Sequence, residues 1–361
     1  MAGWPDRRVL ELFDIEIPII LAPMAGPGTP ELAIAVSEAG GLGSLPCAQL
    51  SVDGVRSALQ TIRRATSRPI NVNFFCHTPP TPDPVRAMAW RARLAPYYVE
   101  LGLDPEAPVP GPTRKPFDGE LCKIVEEVRP EVVSFHFGLP ERSLLDRVKA
   151  TGVRVIASAT TVTEARWLEE RGCDAIIAMG LEAGGHRGNF LTDDITRQVG
   201  TFALVPQIAD AVKVPVIAAG AVADARGIVA AFALGASAVQ IGTTYLFCPE
   251  AKMPPLHREA LITAADDDTQ VTNVFTGRPA RGIINRVMRE VGPMSHDTPA
   301  FPLASSALAP LRAKSEPAGS ADFVNLWSGQ AACLARHDVP ARELTLDLAK
   351  GALAKLSLLS G

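Results

Sequence analysis

Short runs of β-branched and apolar residues recur along the chain, most of them followed by a segment with helical spacing. The pattern predicts strands at 18–22, 42–44, 69–75, 132–137, 153–157, 175–178, 214–219 and 238–242. Helices are expected at 30–40, 52–66, 140–150, 163–172, 202–212 and 224–235, the first opening on Pro30 and closing on Gly40. The strands are apolar at consecutive positions rather than at alternate ones, as in a parallel sheet covered on both faces. Eight such repeats within about 240 residues fit an α/β fold, the (β/α)8 barrel. An open doubly wound sheet is the competing arrangement.

Two segments break the rhythm. Residues 76–116 are rich in proline, with a short helical piece near 87–94, and are too long for an ordinary connection. They are expected to form a lid-like insertion in a barrel domain spanning 1–249. Residues 250–361 are more polar and carry two helix-like stretches, 322–336 and 341–359. They are expected to cap the barrel mouth.

Composition narrows the function. With 47% hydrophobic and 20% charged residues the chain can bury a large core, and its net charge of −4 is spread without a basic stripe for nucleic acid. The six cysteines form no CxxC pair, which points to reduced thiols in a cytoplasmic protein. No apolar run near the amino end resembles a signal peptide, and none approaches the roughly 20 residues that cross a bilayer.

In a barrel, chemistry sits on the loops after the carboxyl ends of the strands. No lysine stands there for a Schiff base, Glu182 is the one nearby carboxylate, and no His/Asp spacing suggests a metal. What stands there is backbone-rich: Ala22-Pro23-Met24-Ala25-Gly26 after the first strand, Gly220 after the seventh, Gly242-Thr243-Thr244 after the eighth. Glycines bring main-chain N–H groups close to an anion, and small residues leave room for a flat ring. With Asn73 and Gln240 these describe a site for a phosphorylated planar cofactor, and FMN fits best. In Glu182-Ala183-Gly184-Gly185-His186-Arg187-Gly188 three glycines free the loop to wrap a ligand, and His186 is its candidate base. Arg187 reads equally as an anion-steering group or a surface ion pair. His136 is a weaker candidate at the end of the fourth strand, His77 opens a mobile loop, and Cys76 has no neighbour to activate it.

These runs, with Asn71-Val72-Asn73-Phe74-Phe75, Ser134 to Pro140, Gln240 to Thr243 and Leu326-Trp327-Ser328-Gly329-Gln330, resemble those of the nitronate monooxygenases, more closely the class I branch. The resemblance covers essentially the whole chain. It implies FMN held at Ala22, Pro23, Met24, Asn73, Met179, Gly184, Gly185, Gly220, Gln240, Ile241, Gly242 and Thr243. It also implies His186 as catalytic base, His136 facing a small-molecule substrate, and oxidation of alkyl nitronates by O2 to a carbonyl compound and nitrite. Met179 departs from the family's usual Gln, and no tyrosine lies in 301–311, where the class I branch presents tyrosines to substrate. The alternative is an NAD(P)H-dependent flavin reductase of an enoyl thioester or quinone.

Overall fold

A computed structural model describes residues 3–111 and 114–360. Eight parallel strands form its centre: β1 (Ile19–Leu21), β2 (Gly43–Pro46), β3 (Ile70–Phe75), β4 (Val132–His136), β5 (Arg154–Ala159), β6 (Ala175–Met179), β8 (Val216–Ala219) and β9 (Ala238–Ile241). Each pairs with its neighbour in sequence, β6 with β8 and β9 with β1, and a parallel bridge from Ile20 to Leu42 closes the ring between β1 and the start of β2. This is the (β/α)8 barrel that the pattern of apolar runs predicts.

The strand residues alternate between two environments, as the two-residue period of a strand requires. Ile20, Val132, Ile156, Ala175, Ile177, Ile217 and Ala238 turn inward and pack with Val9, Leu10 and Phe13 of the helix Arg8–Phe13. Ile19, Leu21, Val133, Val155, Ile176, Val216, Val239 and Ile241 belong instead to the larger cluster beneath the surrounding helices. Both sets are buried and mostly apolar, so little polar alternation survives in the sequence; β3, with buried Asn71 and Asn73, is the clearest exception.

Residues 77–111 are more ordered than expected. Their helix runs over Pro84–Glu100, twice the predicted length, and is pinned to the tail: Trp90 Nε1 donates to Ala304 O (3.2 Å) and the Tyr98 hydroxyl to Ala307 O (2.6 Å). A helix at Gly119–Val128, absent from the predicted set, follows it.

The tail differs most from expectation. Residues 322–336 are not helical apart from a 3-10 turn at Ala332–Leu334. Their backbone is sewn to other elements: Ile283 N–H donates to Leu326 O (2.8 Å), Gly329 N–H to Thr243 Oγ1 (2.9 Å) and Gln330 N–H to Glu182 O (3.1 Å). The helix lies earlier, at Ser305–Ser315, where Pro310 disguises it. A three-stranded sheet joins β10 (Thr269–Thr272) and β11 (Ala280–Ile283) to β7 (Gly185–His186), so the tail grips the loop that carries His186. The last helix, Ala341–Ser360, does not cap the mouth; it lies on the outside of the barrel against helices Pro30–Glu38 and Ala225–Ala233. Among the described residues no helix is long and apolar enough to cross a membrane.

Candidate active site

A cavity of about 1100 Å³ opens at the carboxyl ends of the barrel strands. Ala22, Pro23, Met24, Asn73, His136, Met179, Gly184, Gly185, His186, Gly220, Gln240, Gly242 and Thr243 all line it. Ile241 does not. The strand period that aims Gln240 inward turns Ile241 outward into the helix-facing core, and only its backbone reaches the site region, accepting from Ala22 N–H (2.8 Å).

At one end the lining is mostly main chain. Gly220 has φ +107°, a left-handed conformation, and a Cβ there would stand 3.0 Å from Ala183 N. A Cβ on Gly184 would stand 2.5 Å from Gly329 N and 2.6 Å from Ser328 C, so the two turns approach backbone to backbone. Gly185, at φ +73°, faces open space. The Glu182 carboxylate accepts from Thr201 N–H (3.0 and 2.8 Å) and lies 2.9 Å from the Thr201 hydroxyl, tying the loop to the first turn of helix Thr201–Ala211. Gln240 Oε1 is one of six buried side-chain polar atoms without a hydrogen-bond partner among the described residues, and its side chain lines the cavity. Asn73 gives its amide N–H to Ser134 Oγ (3.0 Å) and Ser134 O (3.2 Å), leaving Oδ1 as its free polar atom.

At the other end stands His186. Its Nε2 is 2.9 Å from Thr276 Oγ1, and Phe75, Phe137, Phe301 and Trp327 surround the ring at centroid distances of 6.2, 6.0, 5.2 and 5.4 Å. Burial holds its pKa well below that of a free imidazole, and the charges of Arg114 and Arg278 push the same way, so the ring is neutral. Arg114 lines the cavity with no ion-pair partner among the described residues, and its own pKa is lowered by burial and by Arg312. Arg278 lies over the Phe137 ring, 4.1 Å from its centroid, and donates to Asn189 O. Of the carboxylates on the cavity wall, Glu182 is held by Thr201 and Glu316 lies 3.9 Å from Arg312.

His136 is held at both ring nitrogens, Nδ1 to Ser158 Oγ (3.1 Å) and Nε2 to His186 O (3.2 Å). A carbonyl only accepts, so Nε2 carries the proton and Nδ1 accepts from the serine. Burial, reinforced by Arg278, lowers its pKa to about 3. After it the chain turns sharply, with Phe137 at φ 71° and Gly138 at φ 84°.

Two sequence readings change, and the reading of Cys76 as unactivated stands. Arg187 is neither a surface ion pair nor a cavity-facing group: it is 0% exposed, donating from Nε to Gln198 Oε1 (2.7 Å) and from NH2 to Met179 O (2.9 Å). Beyond it Gln198 donates to Thr160 Oγ1 (3.2 Å), and Thr160 bonds the buried Glu164 carboxylate through its N–H (2.7 Å) and hydroxyl (2.8 Å). His77 is not on a mobile loop but 6% exposed, packed edge-on against Phe301 (4.8 Å), with a pKa lowered to about 4 by burial. Cys76 is pushed well above the usual thiol range by burial. Tyr97, Tyr98 and Tyr245 are all buried away from the cavity, Tyr245 bonded to Thr345 (2.7 Å). Sequence reasoning missed Arg114, Ser158, Thr276, Arg278 and Phe301, which come from separate segments without a local motif.

The nitronate monooxygenase family model matches residues 6–351. The chain is 41% identical over 344 residues to a nitronate monooxygenase of Paraburkholderia phytofirmans, covering 95% of this chain and 94% of that one. To the nitronate monooxygenase of Pseudomonas aeruginosa it is 42% identical over 339 residues, 93% of this chain and 96% of the other. Among solved structures it is similar to nitroalkane oxidase from Streptomyces ansochromogenes (TM-score 0.87, 35% identity, 98% of this chain and 100% of that). It is also similar to FabK from Thermotoga maritima (TM-score 0.72, 30% identity, 98% of each chain). A match along nearly its whole length therefore makes this chain an oxidoreductase of the nitronate monooxygenase family.

Proposed function

We propose that the protein binds FMN in the cavity and oxidises alkyl nitronates with O2, giving a carbonyl compound and nitrite. The residues present fit that cofactor. Gly184, Gly220 and Gly242 keep the main chain open where side chains would crowd it, Thr243, whose hydroxyl accepts from Gly329 N–H and keeps its own hydrogen, adds a donor for a phosphate, and the unpartnered Gln240 Oε1 awaits an N–H donor such as the imide of a flavin ring. Met179 and Ala22 to Met24 supply apolar wall beside it. Bound FMN supplies the electron acceptor and the reactivity toward O2.

The observation that carries the reading is the neutral His186 with Arg114 and Arg278 nearby and no unengaged carboxylate on the wall. Such a site is short of negative charge and suits an anion. A nitronate meets that need; a neutral nitroalkane does not. A depressed pKa also makes His186 a poor base for removing a proton from carbon, whereas a nitronate arrives without that proton. Thr276 Oγ1 lies 3.4 Å from Arg278 O; donating there, it accepts from His186 Nε2–H, and Nδ1 is the nitrogen left with its lone pair. The four aromatic rings exclude water from this edge of the cavity. His136, bonded through Nε2–H to the His186 carbonyl, fixes the backbone from which His186 projects.

The test is anaerobic spectroscopy of the yellow protein. Mixing with ethyl nitronate bleaches the flavin, and admitting O2 restores colour with release of nitrite. Catalytically fast bleaching by NADPH alone would overturn the proposal in favour of a FabK-like reductase. His186→Asn is expected to abolish the slow reaction with neutral nitroalkanes and to spare that with preformed nitronates; equal losses would remove His186 from the role of base.

A further inference from the structure

A second cavity, about 330 Å³, lies beside the first against the amino-terminal half of helix Pro84–Glu100. Pro82, Ala87, Trp90, Val109, Leu303 and Ala307 give it apolar walls. The charged and indole groups around it are already engaged. Asp83 accepts from Arg86 N–H (3.0 Å), Arg91 donates to Pro105 O and to Ala107 O (2.9 Å), and Trp90 Nε1 donates to Ala304 O (3.2 Å). Nothing in that set asks for a polar ligand.

The two cavities share Pro110, Gly111 and Ser306 as lining residues. They are neighbours at Pro110–Gly111 and one small side chain, Ser306. Gly111 is exposed and a Cβ there would meet nothing within 4 Å, so no side chain fills the boundary at that point. Gly111 and Ser306 stand close in sequence to Arg114, Ser305 and Arg312, which line the main cavity, and Arg114 is near enough to His186 to lower its pKa, so the shared residues adjoin the cation beside which the anion is expected. We infer that the second cavity is a tail subsite: it receives the unbranched hydrocarbon chain of a nitronate whose charged end lies near His186 and Arg114. This rests on the nitronate reading and extends it from a reaction to a substrate class, linear nitronates long enough to cross the Pro110–Gly111 boundary. Adjacency to the catalytic cavity and the lack of any unengaged charge select an alkyl chain over a polar group.

Transfer of one methylene from water to an apolar pocket is worth about a fourfold change in affinity. The experiment uses the FMN-loaded protein and two ligand series. Linear 1-nitronates of two to ten carbons report kcat/KM, and linear carboxylates of the same lengths, which do not turn over, report Kd by calorimetry. The expected result is a rise of about fourfold per added methylene over several carbons in both series, then a plateau. Ala87→Trp and Val109→Trp each fill the second cavity; Ala87 is exposed on the helix surface, so its variant is expected to fold. Both variants should flatten the dependence on length while leaving ethyl nitronate oxidation within about twofold of the parent. A parent flat in both series overturns the subsite, as does a steep dependence retained in both tryptophan variants. If ethyl nitronate is not oxidised at all, the nitronate reading fails, and the carboxylate series still decides whether the subsite exists.

Discussion

Lowering the pH from 7.5 to 5.0 should destabilise this protein through imidazoles that the fold keeps neutral. Burial lowers His77 and His257 to about 4 and His136 to about 3, with Arg278 contributing at His77 and His136. In the unfolded chain each titrates near 6.5. The folded values are the lower ones, so between the two the unfolded chain binds more protons. Stability is complete above about pH 6.5 and is lost as pH falls toward the folded values. At pH 5.0 each histidine lies about 1.5 pH units below its unfolded pKa, a loss of about 2 kcal/mol apiece and about 6 kcal/mol for the three. His186 acts in the same direction. Against a usual total of about 5–15 kcal/mol this is a large fraction. Urea denaturation at the two pH values measures it: the midpoint should fall with little change in slope. His257→Gln should narrow the gap between the two pH values by about a third, because it removes one titrating ring that now bonds Trp327 O (3.0 Å). Midpoints that coincide at pH 7.5 and 5.0 would refute the claim that these rings are held neutral.

Three further outcomes are expected. Glu164→Ala removes a buried carboxylate that accepts from Thr160 N–H, Thr160 Oγ1, Phe190 N–H and Leu191 N–H (2.7, 2.8, 2.7 and 3.3 Å). It should cost about 3–5 kcal/mol and lower Tm by more than about 5 °C in a calorimetric scan; an unchanged Tm would contradict the network. Gly184→Ala forces a Cβ to 2.5 Å from Gly329 N, where no side chain can yield, so the purified protein should retain little flavin by absorbance. Gln240→Leu removes an orphaned buried carbonyl, so the flavin-free protein should melt no lower than the parent while its Kd for FMN rises about tenfold or more by fluorescence titration.

The barrel was legible because its strands are apolar on both faces and follow one another in sequence order around the ring. The glycines at the strand ends were legible for a related reason: Gly220 and Gly184 tolerate no Cβ, and their spacing after apolar runs marks them. The tail was not, because a periodic pattern in residues 322–336 does not reveal that its N–H groups go to Glu182 and Thr243. Arg187 was misread for a different reason. It adjoins His186 in sequence, yet pairing of β7 with β11 sets consecutive side chains on opposite sides, His186 toward the cavity and Arg187 into the interior. Adjacency in sequence is separation in space whenever the backbone is extended.

That alternation explains how one loop serves two opposed demands. A neutral imidazole in an aromatic pocket, in the role proposed for His186, needs its backbone held rigidly, since a small displacement would cost the contact with Thr276. Rigidity comes from charge on the loop's hidden side: Arg187 is tied to Met179 O at the end of β6 and, through Gln198 and Thr160, to Glu164 at the start of helix Val162–Glu170. His136 adds a bond to the His186 carbonyl from β4. The loop is therefore clamped from the ends of two barrel strands, from one helix and, through β11, from the tail. The cavity face is left with His186 and with Arg114, which has no ion-pair partner among the described residues, while the two carboxylates on the wall, Glu182 and Glu316, are engaged by Thr201 and Arg312. The buried Glu164 carboxylate thus serves the hidden side of the loop, and on the proposed reading the side facing the cavity is completed by an anion from solution.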